Sequence, residues 1–300
     1  MKSIAAGPAN AESAAESAEQ SSGREAPNGK SPVNSSPDSP ASIVAALQAR
    51  FDAVAIGAGA TNGAAAAGPD PAFLEELAAR SRELESATPQ EIIAWAVGRY
   101  FPRLTMATAF GPEGCCILHM LAAIEPRMHV FNLETGYQFA ETLEVREQFE
   151  RRYGLQIELH QPSTTVAEYE ATHGGPLYRT NPDQCCADRK LSVLRSSLVG
   201  MEAWMSGIRR DQSSHRAAAP IIGWDKKFGL VKISPLANWT KQDVWKLITD
   251  HDIPYNPLHD QGYTSIGCWP CTRSVTFGED ERAGRWSGFA KTECGLHTSD

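Results

Sequence analysis

Near the end of the chain, Gly267-Cys268-Trp269-Pro270-Cys271-Thr272-Arg273 contains a Cys-x-x-Cys, and some twenty residues on lies Lys291-Thr292-Glu293-Cys294-Gly295-Leu296-His297. Two intervening residues turn the backbone so that both sulfurs can reach one metal centre. Two ligands rarely fill a site. A second pair is offered by Asn181-Pro182-Asp183-Gln184-Cys185-Cys186-Ala187-Asp188-Arg189-Lys190, a polar stretch. Adjacent cysteines suit a compact tetrahedral zinc poorly, because zinc usually takes pairs spaced by two to four residues; the irons of a cluster are spread apart, so consecutive residues can each reach a different one. Cys185, Cys186, Cys268 and Cys271 therefore point to an iron-sulfur centre in preference to a structural zinc. The other adjacent pair, Cys115-Cys116, sits in an apolar run with Ile117 and Leu118 and reads as two small buried hydrophobes.

Cys294 remains as a separate thiol on a glycine-containing tail, between Lys291 and His297. A neighbouring cation lowers a thiol's pKa, and the thiolate is the attacking species. The residues alone leave two readings open, a nucleophile or an incidental thiol. Basic residues gather in turns: Arg189 and Lys190, Arg209 and Arg210, Lys226 and Lys227, Arg273, Arg282, Arg285 and Lys291. In an acidic protein such a gathering suggests a small polyanionic ligand, since a guanidinium grips phosphate or sulfate through two parallel hydrogen bonds.

The elements that must position these groups follow from the change of period along the chain. Residues 72–84 carry Phe73, Leu74, Leu77 and Leu84 at helical spacing, and a second helix opens with Thr88 as cap and Pro89 at its first position. Strands are expected at 104–110, 129–133 and 155–160, separated by helices at 115–124 and 139–153. Strand, helix, strand, helix, strand at these lengths implies an α/β fold with a parallel sheet flanked by helices. Later come a helix at 188–198, strands at 203–208 and 230–233, a helix opening near Asn238, and a loop-rich C-terminal segment. Ligands of such sheets sit at the carboxyl ends of strands, where turns and helix N-termini meet anions. The turns at 108–114 and 133–137 have that position.

Composition narrows the rest. The net charge of −8 argues against a nucleic-acid binder, and the first 90 residues, with 11 acidic and 6 basic side chains, supply −5 of it. There is no membrane-length apolar run and no secretory or Arg-rich targeting layout, so a cytoplasmic protein is expected. Seven cysteines, an odd number in clusters, suit metal or redox chemistry better than a disulfide framework. Residues 1–70 form a low-complexity extension, with 1–40 too poor in large apolar side chains to offset the entropy of ordering. Gly57-Ala58-Gly59-Ala60-Thr61-Asn62 mimics a dinucleotide-binding turn but has Asn62 in place of the third glycine and no amphipathic helix after it, which makes it linker.

Five motifs in order then carry a resemblance: Cys185-Cys186-x-x-Arg189-Lys190; Gly207-Ile208-Arg209-Arg210-Asp211-Gln212-Ser213; Ser265-Ile266-Gly267-Cys268-Trp269-Pro270-Cys271-Thr272-Arg273; Glu281-Arg282-Ala283-Gly284-Arg285-Trp286; and Glu293-Cys294-Gly295-Leu296-His297. The chain from about Phe73 to its end resembles the assimilatory sulfonucleotide reductases, most of all the iron-sulfur branch that uses adenosine 5'-phosphosulfate (APS). The resemblance implies a domain at 71–300 similar to the adenine nucleotide alpha hydrolases, with a mobile tail carrying Cys294. It implies that Cys294 attacks the sulfate sulfur, that AMP leaves a Cys S-sulfonate behind, and that thioredoxin releases sulfite. On the same basis Cys185, Cys186, Cys268 and Cys271 hold one 4Fe-4S cluster, and Lys190 links it electrostatically to the substrate. Arg209, Arg282 and Arg285 bind phosphate and sulfate; Thr108, Gly111, Glu113, Leu133, Thr135 and Gly136 hold the nucleotide; Lys291 and His297 assist the nucleophile. Thioredoxin and APS are the implied partners, with neither nucleic acid nor membrane, and a homo-oligomer is compatible with the pattern. The chain stops six residues past Cys294, so the reductant is expected to be a separate molecule. Two positions depart from the family pattern: the 108–114 turn is poorer in Ser, and Tyr137 stands where Arg often follows the glycine of the second turn. Three other readings stay open: a reductase of the 3'-phosphorylated nucleotide; an ATP-using pyrophosphatase, which would need a Ser-Gly-Gly-x-Asp-Ser type turn not found at 108–114; and a non-catalytic iron-sulfur nucleotide-binding protein.

Overall fold

The structure is a computed structural model that describes residues 68–291, 293 and 295. The low-complexity extension up to residue 67, Cys294 and His297 lie outside the described residues. Helix α1 (Pro71–Glu83) starts where the Asp70 side chain accepts from the Ala72 N–H, and α2 (Pro89–Tyr100) starts in a reciprocal capping box of Thr88 and Glu91. Then come β1 (Leu104–Thr108), α3 (Pro112–Ile124), β2 (His129–Leu133), α4 (Ala140–Tyr153) and β3 (Ile157–His160). Gly154 closes α4 at φ 66°, a conformation that costs a glycine nothing.

Beyond β3 lie α5 (Val166–His173), α6 (Pro182–Cys186), α7 (Ser192–Ser197), β4 (Ala203–Met205), β5 (Ile222–Asp225), β6 (Leu230–Ile233) and α8 (Lys241–Asp250). The six strands run in the order β3-β2-β1-β4-β6-β5, parallel throughout except for the antiparallel edge strand β5. One face buries Leu104 and Met106 of β1 under the apolar sides of α2, α3, α4 and α8, among them Ile92, Ile117, Leu121, Phe149, Val244 and Ile248. The other face buries Phe131, Trp204 and Leu230 under Val193 and Leu194 of α7. Both faces are thus covered, as a parallel sheet requires.

The expected strands at 129–133 and 230–233 match the observed bounds, and the other three are shorter than their sequence patterns. β1 stops at Thr108 because Phe110, at φ 55°, turns left-handed and drives its ring into the core beside Phe149. Two elements, α5 and β5, have no counterpart among the expected ones. The cysteine pair also lies differently from expectation. The expected helix at 188–198 begins after the pair, whereas the pair itself lies in α6, which continues through one wide π-type turn (Ala187–Leu191) into α7, with αR backbone at both junctions. Such wide turns inside helices recur at functional sites.

Cys115 and Cys116 are fully buried in α3. Burial first, then the negative charge of Glu113, pushes the Cys116 thiol up to about 12 from 9. A raised pKa favours the neutral thiol in the folded state. The stability it contributes is therefore complete below pH 9 and is lost as pH rises from 9 toward 12. In denaturant titrations the wild-type midpoint should fall across that window more steeply than that of Cys116→Ala, and iodoacetamide should label Cys116 at pH 8 only after unfolding. Rapid labelling of the native protein at this residue would contradict the burial.

Candidate functional site

The order of strands reverses beside β1: β2 leaves to one side, and the chain later returns to place β4 on the other. A crevice opens at the carboxyl ends of such a pair. Here the cleft has a volume of about 430 Å³ and is floored by Thr108 at the end of β1 and by Ser206 and Gly207 just after β4. Gly114 approaches Thr108 so closely that a Cβ would lie 2.8 Å from its hydroxyl, and a Cβ on Gly207 would meet Glu113 at 3.0 Å. These two glycines let the first turn of α3 sit directly on the strand ends. Gly111 caps α3 without any side-chain bond, so the positive end of a 13-residue helix opens on the cleft.

Cations reach the cleft from four segments, one of them the start of α8, which supplies Lys241. Lys190 comes from the π-type turn, Arg216 from the loop after β4, and Arg282 and Arg285 from the C-terminal loops. The last two are carried there by a backbone seam. The Arg273 N–H donates to the Gly284 carbonyl, and the Trp286 N–H donates to the Cys271 carbonyl at 3.0 Å. Arg285 lies over the Trp286 ring and fills the space beside Gly267, where any Cβ would fall 2.1 Å from the guanidinium. The glycine of the Gly267-Cys268-x-x-Cys271 motif is therefore needed to make room for the arginine.

All four cysteines predicted as ligands come together, lining one small cavity with Lys190, Arg285 and Thr135. Cys185 is buried, the other three partly so. Burial, then the charges of Cys186, Cys268 and Cys271, raises the Cys185 thiol to about 12. Cys271 rises to about 11, through burial and then the charges of Cys268 and Cys186, opposed by Arg285 and Lys190. Four soft sulfurs that repel one another as thiolates, gathered from a helix and a tight turn and edged by cations, form a donor set that fits a multinuclear metal centre. The site is consistent with an iron-sulfur cofactor.

Of the residues expected to bind the substrate, Thr108, Gly111, Glu113, Leu133, Thr135, Lys190, Arg282 and Arg285 line the cleft. Arg209 does not. Its side chain is 1% exposed and paired with Glu113 (2.8 Å) and with Asp211, so it braces the cleft wall from behind. Arg210 is likewise held by Glu85, Asn238 and the Ala219 carbonyl, tying the loop to the end of α1. Gly136 takes φ 79° and packs against Val166 and Arg189. Lys291 pairs with Asp183, two residues before Cys185, and lies over the Trp286 ring. Arg189 donates to the Thr135 and Thr164 carbonyls between the rings of Tyr137 and Tyr169.

Sequence reasoning missed Arg216 and Glu293. The Glu293 carboxylate reaches into the cleft and accepts from Arg216 (3.0 Å) and Arg282 (3.1 Å). Two residues on, the Gly295 carbonyl accepts from Lys227 at 2.6 Å. Both described neighbours of residue 294 are thus held by cations, Glu293 in the cleft.

A mostly parallel sheet with a cation-lined cleft at its switch point, beside four grouped thiols, defines a nucleotide-fold protein with a four-cysteine site. The phosphoadenosine phosphosulfate reductase domain model matches residues 103–274, and the chain belongs to that family. It is 46% identical to a phosphoadenosine 5'-phosphosulfate reductase of Gloeobacter violaceus, over 77% of this chain and 96% of the relative. It is 45% identical to an adenosine 5'-phosphosulfate reductase of Streptomyces coelicolor, over 75% and 94%. Among solved structures it is similar to the phosphoadenylyl-sulfate reductase of Candida auris in a phosphate complex, with TM-score 0.60 and 29% identity, covering 71% of this chain and 100% of that one.

Arg216→Ala should weaken binding of inorganic phosphate to the full-length protein by roughly tenfold or more, since a hydrogen bond to a charged group contributes about 1.5–3 kcal/mol. Arg210→Ala, on a residue turned away from the cleft, should leave phosphate affinity within about twofold, less than about 0.5 kcal/mol. Equal effects of the two changes in calorimetric titration would contradict this division.

Proposed function

We propose that the protein reduces APS to sulfite and AMP with electrons from thioredoxin, in the assimilation of sulfate into cysteine. The observation that carries this reading is the Glu293 carboxylate held between Arg216 and Arg282, one residue before Cys294. A carboxylate between two guanidiniums marks an anion position, and the tail that supplies it carries the thiol.

The residues then divide the chemistry. The α3 N-terminus and the Thr108 end of β1 receive the nucleotide phosphate, while Arg282, Arg285, Arg216 and Lys190 offset the charge of the sulfate oxygens. Sulfate sulfur is shielded by negative oxygens, so a thiolate reaches it only where cations lower the repulsion; the same cations stabilise the leaving phosphate. Cys294 Sγ bonds to that sulfur as the sulfur–oxygen bond to the phosphate breaks, and AMP departs with the electron pair. A dithiol then attacks Cys294 Sγ. Sulfite leaves with the electron pair of the S–S bond, the dithiol closes to a disulfide, and the Cys294 thiolate is restored. A 4Fe-4S cluster on Cys185, Cys186, Cys268 and Cys271 would fix the two cysteine segments and add its field to that of Lys190 without changing oxidation state. Lys291 and His297 act around the nucleophile, and 71–300 is the reductase domain, working in the cytoplasm.

The relatives' names divide between the two nucleotides, so the deciding assay supplies each with reduced thioredoxin. APS should be turned over at least about a hundredfold more efficiently than its 3'-phosphorylated form, a difference of roughly 2.7 kcal/mol. Cys294→Ser should abolish sulfite release while nucleotide binding persists. Undiminished turnover in that variant eliminates the thiolate route.

A further inference from the structure

On the sheet face covered by α7, away from the cleft and the four cysteines, two histidines and a carboxylate from neighbouring strands meet. His129 opens β2; Glu158 and His160, two apart on β3, point to the same face. The Nε2 of His160 lies 2.8 Å from Glu158 Oε2, and the Nε2 of His129 lies 3.5 Å from the same oxygen. One ligand atom from each residue falls within 4.8 Å of the others. Phe131 stacks against His160 at 4.6 Å and holds the ring in place.

The far sides of both rings are held as well. Thr105 Oγ1 lies 2.8 Å from His129 Nδ1, and Ser197 Oγ lies 2.6 Å from His160 Nδ1. Both Nε2 atoms are thereby turned toward one carboxylate oxygen. Hydrogen-bonded Nδ1 atoms are also what orients metal-binding histidines. The separations bracket the roughly 3.3 Å edge of a tetrahedron with ligands at about 2.0–2.1 Å.

We propose that His129, Glu158 and His160 form a divalent-cation site suited to zinc, which cross-links β2 to the edge strand β3. Two imidazoles and a carboxylate match that ion's preferences. The exposed side of Glu158 leaves the fourth position to water. None of the three residues lines the cleft, so the site is independent of the proposed reaction.

The test titrates Zn²⁺ into the full-length, cofactor-loaded protein by calorimetry and compares Glu158→Gln and His160→Asn. The wild type should bind one equivalent more than either variant, with Ser197→Ala keeping that equivalent at roughly ten- to a hundredfold weaker affinity. Co²⁺ in the same position should lack thiolate charge-transfer absorption, which separates it from metal bound by cysteine. Glu158 is exposed, so Glu158→Gln keeps the fold in case His160→Asn does not. Equal stoichiometry in wild type and Glu158→Gln, or thiolate absorption for every bound Co²⁺, would overturn the proposal.

Discussion

Negative charge gathers at the carboxyl ends of β1 and β4, and the architecture around them serves to hold cations beside it. Burial, and after it the charges of the neighbouring sulfurs, raises the thiols of Cys185 and Cys271. Lys190 and Arg285 border both the sulfur cavity and the cleft, so each cation answers two sets of anions at once. Their own positions are secured by shape: the wide turn in the α6–α7 helix for Lys190, and the bare backbone of Gly267 for Arg285.

A second tier of charge keeps this arrangement rigid. Arg209 is buried, yet it carries two carboxylate partners, Glu113 and Asp211. Removing one partner of a buried pair typically costs about 3–5 kcal/mol, because the remaining charge is stranded. Arg209 therefore locks the first turn of α3 to the loop after β4, the two walls of the switch point. Lys291, over Trp286 and paired with Asp183, plays a similar part where the tail leaves the C-terminal loops.

Much of this is legible in the sequence. Strand and helix periods point to the parallel sheet, and the types and spacing of four cysteines point to the sulfur site, because those signals are local. The charges are not legible in the same way. Arg209 and Arg210 follow an apolar strand as a ligand-binding pair would, but whether a guanidinium meets a ligand or a buried carboxylate depends on Glu113 and Glu85, which lie 96 and 125 residues away in the chain. Arg216, in a loop before an alanine run, carries no local signal. The short α5 does have one, the Thr165–Glu168 capping box, from which the helix could have been read. β5 hides because Gly223 and Asp225 dilute its pattern, and only its antiparallel pairing with β6 defines it.

The proposed central step is transfer of the sulfuryl group to the thiol one residue beyond Glu293, while the cations hold the phosphate. The most direct measurement mixes the purified enzyme with APS in the absence of any reductant, then quantifies AMP and maps modified peptides by mass spectrometry. The expected result is one AMP released per chain and an added SO₃ group, about 80 Da, on the peptide containing Cys294 and nowhere else. AMP release without that adduct, or an adduct on another cysteine, would contradict it.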